Sequence, residues 1–477
     1  MTTALWQAAE ADPLILRELE LICGKPYVSA RDIDRISYSR DAFPLAFKWI
    51  REGRIAYLPT YIVRPENAEQ IQEIVRLCNR EKIPYLPYGG GSGIVGAALP
   101  TKGGIVIDLK RMNRLVSVDD VSLVATVQAG AVGQHFEEAL NSLGYTCGHY
   151  PQSIRQSTVG GWVAHCGVGT YSTKYGKIDD LVVALKVVLP DGRLLETRNV
   201  PKASTGPNLN QLFIGSEGVL GIVTEATVKI FPLPEEERFL SYDFPDFAAG
   251  IEAVRTVLRH DIRPAVVRLY DEIEARRHFS DLLGDSRCVL LFGAAGRKLN
   301  VEHEAAIIER LAREAGGTPL GSVVGEKWKE RRFSTAGLCN TLRKRGGIAD
   351  ALEVTGSWSN LHRIYEAMKS AMEKAIKGRG EVFGHLSHAY HTGANLYMIF
   401  HAHDETDESA ESLYYEVMEA AFDACQGLGG ALSHHHGVGI GKARWMRREL
   451  GNGLDLLKSL KSAIDPDRLL NQGKLGI

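Results

Sequence analysis

The chain has no CxxC pair, no apolar run long enough to cross a bilayer, and almost no net charge, and each absence excludes something. Its seven cysteines are an odd number, scattered at 23, 78, 147, 166, 288, 339 and 425. That pattern argues for reduced thiols rather than a disulfide framework. No stretch approaches the roughly 18 to 20 apolar residues a spanning helix needs. The opening MTTALWQAAEADPLILRELE lacks the charged-then-apolar order of a signal peptide, so a cytoplasmic protein is expected. A formal net charge of -2 supplies no basic field for nucleic acid, and no such partner is expected. No internal repeat or low-complexity tract interrupts the chain.

What remains is a globular balance, 44% hydrophobic and 24% charged residues in 477. That length exceeds one ordinary core and predicts two domains plus accessory segments. Residues 13–23 read as an amphipathic helix, 57–64 as a strand, and 68–82 as a helix with Ile71, Ile74, Val75, Leu77 and Cys78 on one face. Strands are predicted at 104–109 and 122–131, and a helix at 135–144. Residues 181–197 alternate around Pro190-Asp191-Gly192 as a hairpin. After the acidic run at 235–237, strands (CVLLFGAAG, NLYMIFHAH) alternate with helices (VEHEAAIIERLAREA, LHRIYEAMKSAMEKAIK), an α+β pattern with sparser glycine.

Glycine is concentrated where chemistry is expected. Gly91–Gly96 formally matches GxGxxG, but Pro100, Gly103 and Gly104 forbid the helix a Rossmann site requires. The alternative is a nest, in which consecutive glycines bring backbone N–H groups to a diphosphate without Cβ clashes. Two further loops, STVGG at 157–161 and GSEGVLGI at 215–222, repeat the theme. Three such loops would line a groove for a large diphosphate cofactor.

PYGGGSG at 87–93, PQSIRQSTVGG at 151–161, YGKIDDLVVALKVVLPDG at 175–192 and GSEGVLGIVTEATVKI at 215–230 resemble the vanillyl-alcohol-oxidase-type (PCMH) FAD superfamily in order and spacing. The resemblance implies an α+β fold: a two-subdomain FAD-binding domain at 55–235, preceded by a helical segment at 1–54. It further implies an α+β cap domain at 236–430 and a segment at 431–477 that returns to the flavin. FAD contacts would come from Pro87, Tyr88, Gly89, Gly90, Gly91, Ser92 and Gly93, and from Pro151, Ser153, Ser157, Thr158, Gly160, Gly161, His165 and Gly167. Glu217, Gly218, Gly221, Ile222 and Val223 would complete them. Covalent members often use a histidine in or near the first loop; this loop has none, so non-covalent FAD is expected.

The second half is most similar to alkyldihydroxyacetone-phosphate synthases. The matching segments are STGP at 204–207, PAVVRLYD at 264–271, ExTxxW at 353–358, YxxGAxLY at 390–397, and SHHHGVG followed by Arg444-Trp445. That resemblance puts Tyr390 and His434, His435 and His436 at the flavin's reactive edge as acid/base groups, with Arg268 and His388 binding substrate. Where the synthases carry a second functional arginine, this chain has Cys339. The D-lactate and glycolate dehydrogenase branch is a more distant resemblance. Its members hold a metal through GHxGDGNLH and GEHG segments; here Tyr397 replaces a histidine and no glutamate precedes His436, so no metal is expected.

Imidazole titrates near working pH and suits proton exchange beside a flavin. Successive side chains on a strand point to opposite sides, so at least one of the three adjacent histidines is expected to be structural. Arg268 follows an apolar run and needs an anionic partner, either substrate or Asp271. The expected function is FAD-dependent chemistry at a hydroxyl- or carbonyl-bearing carbon of a small polar substrate beside flavin N5, synthase-like. The alternative is a D-2-hydroxyacid dehydrogenase passing electrons to an acceptor protein. A homodimer is expected.

Overall fold

The computed structural model describes residues 10–283, 287–334 and 336–477. A small sheet forms first, with strands in the order Val28–Ser29, Tyr61–Val63, Ile105–Asp108 and Tyr85–Tyr88. Tyr61–Val63 and Tyr85–Tyr88 both run parallel to Ile105–Asp108, and parallel strands need crossover connections. Helix Ala68–Glu81 supplies one, capped by the Asn67 side chain accepting from Gln70 N and burying the five predicted apolar positions. The strand predicted at 57–64 shrinks to Tyr61–Val63. Pro59 offers no ladder donor, and Pro65 restricts the residue before it.

An antiparallel sheet of five strands follows, in the order Leu115–Asp119, Val124–Gln128, Ile222–Lys229, Val182–Val188 and Leu194–Glu196. Its hairpin turns where predicted, closed by Leu189 N donating to Arg193 O at 2.9 Å. Val63, Ile105 and Ile107 of the first sheet and Val127, Leu185 and Ala226 of the second share one apolar core.

The third sheet has seven strands, ordered Thr318–Gly321, Glu236–Phe244, Cys288–Gly296, Val266–Tyr270, Gly380–Ala389, Gly393–His403 and Gly347–Ser357. Antiparallel strands usually alternate apolar and polar residues, yet CVLLFGAAG is apolar throughout, because both faces of this sheet are covered. Leu290 and Phe292 point into a core with helices Phe247–Arg259, Lys298–Glu314, Leu361–Ile376 and Asp407–Gly427. Val289 and Leu291 point the other way, toward Phe279 and Trp328.

Residues 431–477 tie the layers together. Ala431 bridges Thr355 on the seven-stranded sheet, and Leu470 bridges Tyr85 on the first. Asn471 donates its side-chain amide to Ala97 O at 3.2 Å and Glu217 O at 2.6 Å. The α+β class and the return of this segment to the glycine loops agree with expectation.

Candidate functional site

The predicted glycine loops converge. Strand Tyr85–Tyr88 ends in the loop 89–93, which lies directly against 156–158. A Cβ on Gly90 would fall on the Gln156 carbonyl, and Gly91 has φ +60 with the Tyr88 hydroxyl beside it, so these two positions require glycine. Gly93 O accepts from Ala42 N at 3.0 Å. The backbone N–H groups of residues 90–97 find no acceptor among the described residues. A half-buried row of unpaired amides beside a cradle that side chains would fill suits a diphosphate, so the donor set fits FAD.

The other predicted contacts divide by role. Pro151 and Ser153 offer carbonyls to the turn at 154–157. Ser157 Oγ accepts from Trp162 Nε1 at 2.8 Å. Thr158 caps the short helix Val159–Ala164, which contains Gly160 and Gly161, and Gly167 N donates to Trp162 O. Gly218 abuts Pro87, and Gly221 abuts Val187; Ile222 and Val223 are buried in the strand. The Glu217 carboxylate accepts from the amides of Val438 and Gly439, and His165 Nδ1 lies 3.0 Å from His436 O. Glu217 and His165 thus fasten the histidine loop onto the glycine loops.

Residues 433–436 form a loop rather than a strand, so the strand alternation from which a structural histidine was expected does not apply. The alternation of side chains holds only in extended, paired backbone; here Gly437 turns at φ +83 and all three rings gather. His434 Nε2 lies 2.7 Å from the Tyr390 hydroxyl. His434 Nδ1 meets His435 Nδ1 at 2.8 Å, and His435 Nε2 meets the Tyr397 hydroxyl at 2.5 Å. Tyr397 also reaches His436 Nε2 at 3.3 Å, and His436 Nδ1 lies 2.9 Å from Glu353 Oε2.

Glu353 is fully buried on strand Gly347–Ser357. It accepts from Ser433 Oγ, from His436 N at 3.0 Å, and from Lys442 Nζ at 2.9 Å. Burial opposes its ionisation, but His436 and Lys442 outweigh that and hold its carboxyl well below the usual range. Burial, with Lys177 nearby, pushes His434 down to about 3. Burial and neighbouring imidazoles hold His435 and His388 well below the ordinary histidine value, and burial raises Tyr390 and Tyr397. At neutral pH these imidazoles are therefore neutral and the phenols protonated.

His388 sits at a register shift between Ser387 and Ala389 with φ +52. The bulge aims its ring against His434, stacked at 5.6 Å, while Nδ1 meets Ser172 Oγ at 2.9 Å. Among the described residues Arg268 pairs with neither Asp271 nor another carboxylate: its Nη2 meets His385 Nε2 at 2.7 Å, and His385 Nδ1 meets Glu274 at 2.9 Å. Asp271 is occupied by Tyr365 and by Gly384 N. The Arg268 Nε is buried with no acceptor among the described residues, which leaves that donor for an anion. Tyr397 stacks on His385 at 4.6 Å, joining Arg268 to the histidine cluster. Cys339 lies on helix Ala336–Leu342.

Sequence reasoning gave no role to Glu353, Tyr397, Ser433 or Lys442. The available signal was chemical: Lys442 is a lone charge after the apolar GVGIG, and a buried ammonium needs a carboxylate.

Among the described residues no helix is long and apolar enough to cross a membrane, and no group of three or more His, Cys, Asp or Glu is placed to hold a metal ion. Residues 59–198 match the FAD binding domain family, and residues 233–475 match the C-terminal domain of FAD linked oxidases. An alkyldihydroxyacetonephosphate synthase from Dictyostelium discoideum is 32% identical over 458 residues, covering 89% of this chain and 74% of that protein. The glycolate oxidase subunit GlcD of Bacillus subtilis is 29% identical, covering 97% and 96%. A solved alkyldihydroxyacetonephosphate synthase superposes with a TM-score of 0.82 at 27% identity, over 98% of this chain and 86% of that one. With both halves of the architecture matched in sequence and in fold, the chain belongs to the FAD-linked oxidase family and is an FAD enzyme.

Proposed function

We propose that this enzyme acts at a hydroxyl- or carbonyl-bearing carbon of a small anionic substrate, in the manner of the alkyldihydroxyacetonephosphate synthases it resembles. The observation that carries the reading is the Tyr390–His434 pair at 2.7 Å, in a cluster joined through Tyr397 and His385 to Arg268, whose Nε is an unsatisfied donor. In this reading the loops 87–93, 151–161 and 215–218 hold FAD non-covalently, since the first loop offers no histidine. Residues 236–430 cover the substrate, and 431–477 deliver the histidines. Bound FAD supplies the redox-active ring; the protein supplies position, charge and proton exchange.

Arg268 would hold the substrate anion with His388 beside it, and Tyr390 would exchange a proton with the substrate oxygen. A second reading, a D-2-hydroxyacid dehydrogenase, is favoured by Cys339. A phosphate dianion is commonly gripped by more than one cation, whereas a carboxylate is satisfied by a single arginine.

Anaerobic mixing of the FAD-loaded enzyme with D-2-hydroxy acids, glycerol phosphates and acyl-dihydroxyacetone phosphate separates these readings. Bleaching by a hydroxy acid supports the dehydrogenase. Conversion of acyl-dihydroxyacetone phosphate without net bleaching supports the synthase-like reading. Failure of every compound both to perturb the flavin spectrum and to be converted sinks both.

A further inference from the structure

Counting protons along the cluster gives it a direction. Lys442 is an ammonium and can only donate to Glu353. Glu353, an anion, can only accept, so His436 Nδ1 carries the proton of the 2.9 Å bond. With the Glu353 charge matched by the Lys442 ammonium, a His436 that holds only this one proton has a bare Nε2, which accepts from the Tyr397 hydroxyl. Having donated its one proton, Tyr397 accepts from His435 Nε2. The His435 Nδ1 is then bare and accepts from His434 Nδ1, and the His434 Nε2 accepts from Tyr390. One proton occupies each of the five bonds and every donor points toward Glu353.

We infer that Tyr390, His434, His435, Tyr397 and His436 form a polarised proton wire whose direction is set by the buried Glu353–Lys442 pair. The inference rests on the proposed role of Tyr390 at the substrate end. When the Tyr390 oxygen takes a proton from a substrate hydroxyl, its own proton passes to His434 Nε2. The Nδ1 proton of His434 passes to His435, the Nε2 proton of His435 to Tyr397, and the hydroxyl proton of Tyr397 to His436 Nε2. Each transfer breaks one bond to hydrogen and forms one. The net result is a substrate alkoxide and an imidazolium at His436, paired with Glu353, and no electron moves. Glu353 is thus a positioning residue, acting through His436, and the 3.3 Å step from Tyr397 is the longest in the row.

Nitrogen NMR of the FAD-loaded protein with 15N-histidine, at neutral pH and without substrate, reads the tautomers directly. Signals are assigned by their loss in His434→Gln, His435→Gln and His436→Gln. Single protons at His434 Nδ1, His435 Nε2 and His436 Nδ1 support the wire; a proton at His435 Nδ1, or a His436 carrying Nε2–H alone or both protons, overturns it. In Glu353→Gln the side-chain amide can donate to His436, so at least one tautomer inverts; three unchanged tautomers in that folded variant refute control by Glu353. Should Glu353→Gln not fold, Tyr397→Phe serves: His436 keeps Nδ1–H while His435 loses its single tautomer, and a His435 still fixed at Nε2–H refutes the link. These readouts need no substrate, so they can fail or succeed independently of the flavin-bleaching panel.

Discussion

Gly90→Ala tests the cradle at its tightest point. The added methyl would stand 2.8 Å from the Gln156 carbonyl carbon and 3.2 Å from the Ser157 Cα, where about 3.5–4.0 Å is comfortable between carbons. Both neighbours are backbone and the Gln156 carbonyl oxygen is closer still, so no side chain can swing aside, and the loops 87–93 and 151–161 must separate by roughly an ångström. Overpacking of this kind costs about 1–3 kcal/mol. If the separation falls on the cofactor-binding geometry, FAD affinity drops roughly 5- to 150-fold. The assay is fluorescence titration of FAD into the apoprotein, with thermal melts alongside. Gly427→Ala is the control, because a Cβ there meets nothing within 4 Å. Wild-type FAD affinity in a Gly90→Ala protein of normal melting temperature would refute a shared diphosphate cradle.

Arg268→Lys removes the planar fork while keeping the charge. Charge-assisted hydrogen bonds contribute about 1.5–3 kcal/mol, so KM for the anionic compound that reacts should rise about 10- to 150-fold; an unchanged KM with a lowered kcat would show that Arg268 does not hold the anion. Asp41 is buried, accepts from Phe43 N at 3.0 Å and Ala98 N at 3.4 Å, and is pushed up to about 7 by burial. Between about 4, the unfolded value, and about 7, the folded chain keeps a proton the unfolded chain has released. Its stabilising share is therefore present below pH 4 and lost as pH rises to about 7. Melting temperatures of Asp41→Asn should decline less over that range than wild type, and parallel curves would remove Asp41 from the account.

The parts of the fold legible in the sequence were those fixed by local chemistry. Asn67 and the five apolar positions after it marked their helix, and Pro190-Asp191-Gly192 marked its hairpin. The glycine loops were legible because three consecutive glycines exceed what a turn needs. The histidine cluster was visible as residues but not as geometry. Its convergence depends on Gly437 at φ +83 and on Glu353, 83 residues from the His436 amide it accepts. No periodicity reports a contact at that separation. Of the two partners the sequence offered Arg268, substrate or Asp271, the second fails for the same reason. Asp271 is near in sequence but is claimed by Tyr365 and Gly384, whereas His385 arrives on a strand 117 residues later.

The bridge from Leu470 to Tyr85 also bears on how the protein is made. Tyr85 N donates to Leu469 O and Tyr85 O accepts from Asn471 N, while the Asn471 amide reaches Ala97, 374 residues earlier. On a ribosome adding about 5–20 residues per second, the first glycine loop therefore waits roughly 20 to 75 s for this brace. During that interval an edge of the first sheet stands open to other nascent strands, and chaperone cover or slow handling of the flavin would matter most there.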